Sequence, residues 1–398
     1  MDDGVREGKT GEEGRGGSRL ALGVNLGLVT LVAWSLVRAW TQLVGSRPRA
    51  ALNLLQRREE VLAWFSGAPV YEALPTAVYP PGSLALLWPL VGAWGSTRVV
   101  LALYAALSVG AAVMLVWTSA FAVAGDAVPT HRTLESGRAA WIGLLLLLPW
   151  SVSLGLGLGQ LHLLVLVLGV GAVMRARGAT EWRGSAVAGL LLALALIKPS
   201  AGAGFLVLAL VWSWRSAVVA GGVHVVATGL ALAAREEPPL RLLEQWWFRA
   251  TEGARFGAAE GGYGSVHDLV GFLGMQGAAG FATLAVLGAG GIWLWRHRDA
   301  NPWLLVGVAG LVGRFATYHR AYDDVLVLPA LAAVMGLAVR GAGRGRLVAG
   351  GVALVAWVGL MAPEVGEPLT VSWLALLAVL VVAAGAERTP QRPAATPG

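Results

Sequence analysis

The 398-residue sequence has no cysteine, only two lysines (Lys9 and Lys198), and acidic and basic residues amount together to 13% of the chain. The missing cysteines exclude disulfides and thiolate metal sites, and leave the redox compartment unmarked. So little charge beside 56% hydrophobic residues is more apolar surface than a soluble core can hide, so the chain reads as a polytopic membrane protein. No repeat of 20–50 residues is visible and no two halves match, unlike transporters built from inverted repeats with ionisable groups at mid-membrane. The formal charge of +7 is almost wholly arginine. Those arginines sit in short loops between apolar runs, where they set topology; a nucleic-acid protein needs a basic face outside the membrane.

What is present is a succession of apolar runs between two polar tails. Residues 1–19 are Gly-rich and mixed in charge, and 387–398 resemble them, so both tails are expected to be disordered. The run from Leu20 to about Val44 is longer than a signal-peptide core and lacks a small-residue cleavage site, so it reads as a retained first span. With it, runs at 97–120, 139–157, 160–174, 184–198, 200–214, 216–234, 277–296, 302–318, 322–339, 347–362 and 369–386 predict about twelve transmembrane helices within 20–386.

The stretch "GAPVYEALPTAVYPPGSLALLWPL", 67–90, is too polar and too short to be a span. If residues 83–95 do not cross, eleven arginines from Arg132 to Arg346 fall in short loops on one side, and only Lys198 and Arg320 opposite. That asymmetry places the tails and basic loops in the cytoplasm. Residues 83–95 are then an outer-leaflet half-helix that enters and returns under protein cover, with Pro80 and Pro81 at its start. The long loops at about 45–82 and 235–276 lie outside, as do the turns "GLGQLH", "IKPSAG" and "ATYHRAYDD". Nucleotides are scarce there, so a group-transfer enzyme on that face needs a lipid-linked donor.

In order, "SGAPVY…VYPPGSLALLWPL", "GQLHLLVLVLGVGAVMRARG", "AGLLLALALIKPSAG", "GYGSVHDLVGFLG" and "YHRAYDDVLVLPAL" resemble glycosyltransferase family 87 from about residue 50 to 340. The resemblance implies an all-α, GT-C-type helical bundle in the cell membrane. It implies a polyprenyl-phosphate sugar donor, mannose by family habit, and a lipid or glycan acceptor, with inverting transfer on the extracytoplasmic face. It also implies an aspartate base about fourteen residues before Gly67, where this chain has Asn53. An amide cannot take that proton. Glu60, two helical turns on, or its neighbour Glu59 can supply the carboxylate; otherwise the chain transfers by another geometry or is an inactive relative with a scaffold role.

Each further candidate has a plainer alternative. Glu59 and Glu60 follow Arg57 and Arg58, as on a solvated amphipathic helix. Lys198 can snorkel to the interface or hold the donor phosphate, and Arg320 is a second phosphate candidate. Arg314 lies inside an apolar run, where a charge needs a partner or a function. Tyr79, Gln160, His162, Tyr263, Tyr318, His319, Asp323 and Asp324 are substrate-binding candidates at outer helix ends. Asp323 and Asp324 beside Arg320 also read as an interfacial ion pair. One histidine with two adjacent aspartates is a weak metal signature, so neither metal nor cofactor is expected.

Overall fold

The structure, a computed structural model, describes residues 10–45, 50–125, 137–259, 264–317, 319–361 and 366–387. It is helical throughout, with no strand among the described residues. The helices are α1 (Thr10–Val44), α2 (Leu52–Phe65), α3 (Val70–Ala73), α4 (Pro81–Leu87), α5 (Thr97–Ala124), α6 (Gly137–Leu145), α7 (Trp150–Leu158), α8 (His162–Arg177) and α9 (Trp182–Ala195). They continue as α10 (Pro199–Trp212), α11 (Trp214–Ala233), α12 (Pro239–Ala259), α13 (Val266–Phe272), α14 (Ala279–Arg296), α15 (Pro302–Ala316), α16 (Leu328–Arg340), α17 (Gly343–Met361) and α18 (Gly366–Ala386). A 3₁₀ segment, Ala321–Val327, leads into α16.

Six described helices are long and apolar enough to cross a membrane, or seven if α7 and α8 form one bent span. Four apolar helices among α9, α10, α15 and α18 are shorter, and so is the segment Pro81–Gly92. The chain is a multi-pass membrane protein. Its span-length helices α1, α5, α11 and α17 expose Trp34, Val109, Val225 and Leu354, each more than 60% accessible, as a lipid solvent permits. At the centre, every residue of α15 except Phe315 is buried.

Three expectations change in detail. The run at 139–157 is two helices, because Pro149 cannot continue α6 and disfavours a helical residue before it. α7 and α8 then meet at 112°, turning at Gly159, whose φ of 73° suits a glycine closing a helix. α1 reaches back to Thr10, ten residues before the apolar run, since extending a formed helix adds a hydrogen bond per residue without a new nucleus. The short segment after Pro80 is α4 with one π turn, Trp88–Gly92. Twelve residues rise about 18 Å, well short of a ~30 Å hydrocarbon core.

The connections sort into two ends. At one end the Arg340 guanidinium donates to the carbonyl of Ala122, Asn301 Nδ2 to that of Gly125, Trp212 Nε1 to that of Arg298 and Arg215 to that of Thr180. The Asn301 N–H also reaches Glu387. These are the arginine-rich connections. At the other end α2, α3 and α12 cover the α7–α8, α9–α10 and α15–α16 turns.

Close packing of α10 on α15 holds the two ends in register. A Cβ added at Gly204 would lie 2.0 Å from the Ala309 carbonyl oxygen, whereas one at Gly221 on α11 would meet nothing within 4 Å. Gly204→Ala is therefore expected to destabilise the purified protein by about 1–3 kcal/mol, as overpacking does. Gly221→Ala should leave the melting temperature in detergent unchanged. Equal melting temperatures for the two variants would contradict this packing.

Candidate active site

Under the α2–α3–α12 cover lies a cavity of about 380 Å³. It is polar, in the size range of small-ligand sites. Its walls come from elements far apart in sequence: Asn53, Gln56 and Arg57 of α2; Thr76, Val78 and Tyr79 before α4; Gln160 of the α7–α8 turn; Lys198 and Ser200 at the start of α10; Arg249 and Glu252 of α12; and Arg320, Tyr322 and Asp323 before α16. Four cations thus face two carboxylates, which favours an anionic ligand. The amides, hydroxyls and two tyrosine rings add neutral groups of the kind that bind sugar hydroxyls.

Lys198 is positioned by its place just before Pro199, which opens α10. Its ammonium pairs with Asp323 Oδ1 and lies 5.1 Å from the centre of the Tyr322 ring. Asp323 Oδ2 accepts the Arg320 backbone N–H at 3.1 Å and lies 3.5 Å from His319 Nδ1. His319 Nε2 in turn sits 3.1 Å from the Gly313 carbonyl oxygen and 2.7 Å from Thr317 Oγ1. Both oxygens of Asp323 are thus engaged, and Asp323 orients Lys198 toward the cavity.

Arg57 is fixed in the same manner from the opposite wall. It donates to the Thr76 carbonyl oxygen at 2.9 Å, stacks 4.5 Å above the Tyr79 ring and pairs with Glu60 at 2.5 Å. Glu60 is 1% exposed and also accepts from Thr76 Oγ1 at 3.1 Å, so it stands behind Arg57 and not on the cavity wall. Burial lifts its carboxyl from the ordinary 4.5 to about 7, against the pull of the Arg57 guanidinium. Glu59 is exposed and off the wall.

Of the other residues expected from sequence, Asn53, Tyr79, Gln160, Lys198, Arg320 and Asp323 converge on the cavity. His162 is fully buried one layer behind, its ring 5.9 Å from that of Tyr322, and His319 stands behind Asp323. Arg314 and Asp324 pair at 2.9 Å inside the bundle, with the guanidinium 4.4 Å from the Trp373 ring, and neither lines the cavity. Tyr263 and Tyr318 lie outside the described residues. No group of three or more His, Cys, Asp or Glu able to hold a metal occurs among the described residues.

Sequence reasoning did not single out Gln56, Arg57, Thr76, Ser200, Arg249 or Glu252. For Arg249 and Glu252 a signal exists. Arg241, Gln245, Arg249 and Glu252 follow one another at intervals of four, four and three, a polar stripe along one face of α12.

A second, larger space of about 690 Å³ lies between α1, α5 and α7, walled by Val32, Leu36, Trp40, Val109, Val113 and Leu156 among others. It holds no charged group. The two spaces share a boundary at Tyr104, which lines the apolar one and donates its hydroxyl to the Gln160 carbonyl oxygen at 2.8 Å.

A polar, cation-rich cavity at one end of a membrane helix bundle is the setting of a membrane-bound transferase. The family model that matches the chain is glycosyltransferase family 87, over residues 77–329. The chain belongs to that family and is a membrane glycosyltransferase. No curated protein and no solved structure matches it. The matched span includes Tyr79, Gln160, Lys198, Glu252 and Asp323, and leaves α2 with Asn53 outside.

The Glu60 carboxyl generates a stability prediction. Its proton stays bound in the folded state to a higher pH than in the unfolded chain, so its contribution to stability is complete below about pH 4.5 and is lost as pH rises through about 7. Glu60→Gln should flatten the fall in melting temperature between those values. Equal slopes of melting temperature against pH for the wild type and Glu60→Gln over that interval would refute the assignment.

Proposed function

We propose that the chain moves a hexose, mannose by family habit, from a polyprenyl-phosphate sugar to a lipid or glycan acceptor on the extracytoplasmic side of the cell membrane. The carrying observation is the junction at Tyr104 and Gln160, where a chargeless groove between membrane helices abuts a cavity holding four cations. An amphiphile with an anionic head and a long apolar tail fits both spaces at once. In this reading the tail lies along α1 and α5, while the phosphate meets Lys198, Arg320 and Arg57. The sugar is held by Asn53, Gln160 and Tyr79.

The acceptor oxygen attacks the anomeric carbon, the carbon–oxygen bond to phosphate breaks, and the polyprenyl phosphate leaves with the bonding electrons. Cations already aimed at the phosphate stabilise the charge that develops on it. Arg314 acts through position, by holding Asp324 and with it the segment that carries Asp323 and Arg320.

Removing Lys198 alone would strand the buried Asp323, so the test pairs the changes. Lys198→Met/Asp323→Leu keeps the bundle neutral at that point and should fold. With Arg320→Gln alongside, each variant is expected to lose about 10–100-fold in kcat/KM for the donor, the worth of a hydrogen bond to a charged group at ~1.5–3 kcal/mol. Transfer assayed with polyprenyl-phosphate mannose at subsaturating concentration checks this, and wild-type rates in both would remove the phosphate from this cavity.

Sidedness is tested separately. The cysteine-free sequence permits single cysteines at the exposed positions Arg241 and Glu181. An impermeant maleimide should label Arg241→Cys in intact cells and Glu181→Cys only after permeabilisation. The reverse pattern would put the cavity in the cytoplasm.

A further inference from the structure

Transfer to a hydroxyl requires a group to receive its proton, and the position where the family's base is expected holds Asn53, which lines the cavity as an amide. Two carboxylates reach the wall. Asp323 has both oxygens engaged, by Lys198 on one side and by the Arg320 N–H and His319 on the other. A carboxylate so committed is a poor proton acceptor, since the incoming proton must displace a charged partner.

Glu252 differs. Arg249 Nη1 holds its Oε2 at 3.1 Å, and Oε1 accepts no hydrogen bond from any described residue. The side chain is 31% accessible, enough for an acceptor to reach it. Its aim is fixed by everything before it on the stripe of α12. Arg249 Nε donates to the Tyr71 carbonyl oxygen at 2.8 Å and Gln245 Nε2 to Glu72 at 2.6 Å, while Trp246 Nε1 donates to the Val78 carbonyl oxygen at 3.2 Å. Val78 and Tyr79 are themselves part of the wall. α12 is thus fastened to the cavity rim through two backbone carbonyls and the Glu72 carboxylate, with Glu252 further along the same stripe.

We propose that Glu252 is the general base of the transfer reaction, acting on a hydroxyl of a polar acceptor head that enters beneath α12. This rests on the glycosyltransferase reading above and adds to it the residue that takes the proton. As the acceptor oxygen bonds to the anomeric carbon, its proton passes to Glu252 Oε1, and the carbon–phosphate-oxygen bond breaks with its electrons going to the polyprenyl phosphate. The proton then leaves Glu252 to solvent, restoring the carboxylate. Arg249 is a positioning residue.

The test uses full-length protein in detergent or nanodiscs with polyprenyl-phosphate mannose and a membrane-lipid acceptor extract. Glu252→Gln is expected to lower kcat by about 10²–10⁴-fold, the usual worth of a general base, while donor binding measured directly stays within twofold of wild type. Glu244→Gln, on the exposed face of the same helix, should be unaffected. Glu252→Ala should regain turnover of the donor with azide, an anion that needs no deprotonation. Full activity in Glu252→Gln would overturn the proposal, and so would a folded, donor-binding Glu252→Ala inert to azide. If Glu252→Gln does not fold, Glu252→Asp, which keeps the charge on a shorter arm, is expected to retain reduced transfer; wild-type rates there would also overturn it. A wild type that transfers from no polyprenyl-phosphate sugar defeats the glycosyltransferase donor assignment, a result distinct from either of these.

Discussion

Two neighbouring aspartates inside an apolar bundle are the constraint on which the cavity depends. Charge in such surroundings is tolerated only when paired, and adjacent carboxylates aimed the same way would repel. The 3₁₀ segment resolves both demands. With three residues per turn, successive side chains diverge by about 120°, so Asp323 turns outward to Lys198 and Asp324 inward to Arg314. One pair ties α10 to the segment before α16 and presents an ammonium to the cavity. The other ties α15 to the same segment, beneath Trp373 of α18. Losing either partner alone leaves an uncompensated buried charge, a cost of about 3–5 kcal/mol. The bundle's centre and the site's electrostatics therefore rest on the same two ion pairs.

The cover over the cavity is held differently, mostly through backbone acceptors. Arg249, Trp246 and Arg57 all donate to carbonyls between Tyr71 and Val78, and Tyr71 donates its hydroxyl to the Tyr79 carbonyl oxygen at 2.8 Å. That irregular stretch has few partners of its own, so long side chains from two helices satisfy it. Residues 67–81, with two tyrosines, a glutamate and four prolines, build a cavity rim, and the short α4 behind it anchors the rim to α11.

Much of this was legible in the sequence. Apolar runs predict the helices, and the arginine count predicts which connections share an end. The polar turns at Gln160, Lys198 and Arg320 predict a common site, because polar groups at helix ends on one side of a membrane have few places to go. The break at Pro149 was equally readable from that proline, but a uniformly apolar run conceals the change of direction. Less legible were Arg57 and Glu252, which lie on amphipathic surface helices where a charge facing a cavity and one facing water have the same spacing. Glu59 and Glu60 show the difficulty: adjacent in sequence on α2, they end in different surroundings, one exposed and one sealed behind Arg57.

The division between wet and dry space bears on substrate size as well as charge. At a water's share of about 30 Å³, the polar cavity holds roughly a dozen waters, room for one sugar ring with its phosphate and little else. An acceptor head must then approach from the rim, and the rim facing it is α12. The apolar groove is nearly twice as large and carries no charge. A lipid tail seated there, as proposed for the donor, adds binding energy remote from the bond that breaks and holds the head in place against the cations. In the proposed reaction, donor and acceptor reach the same carbon from different solvents, one along the membrane helices and the other from beneath the amphipathic cover.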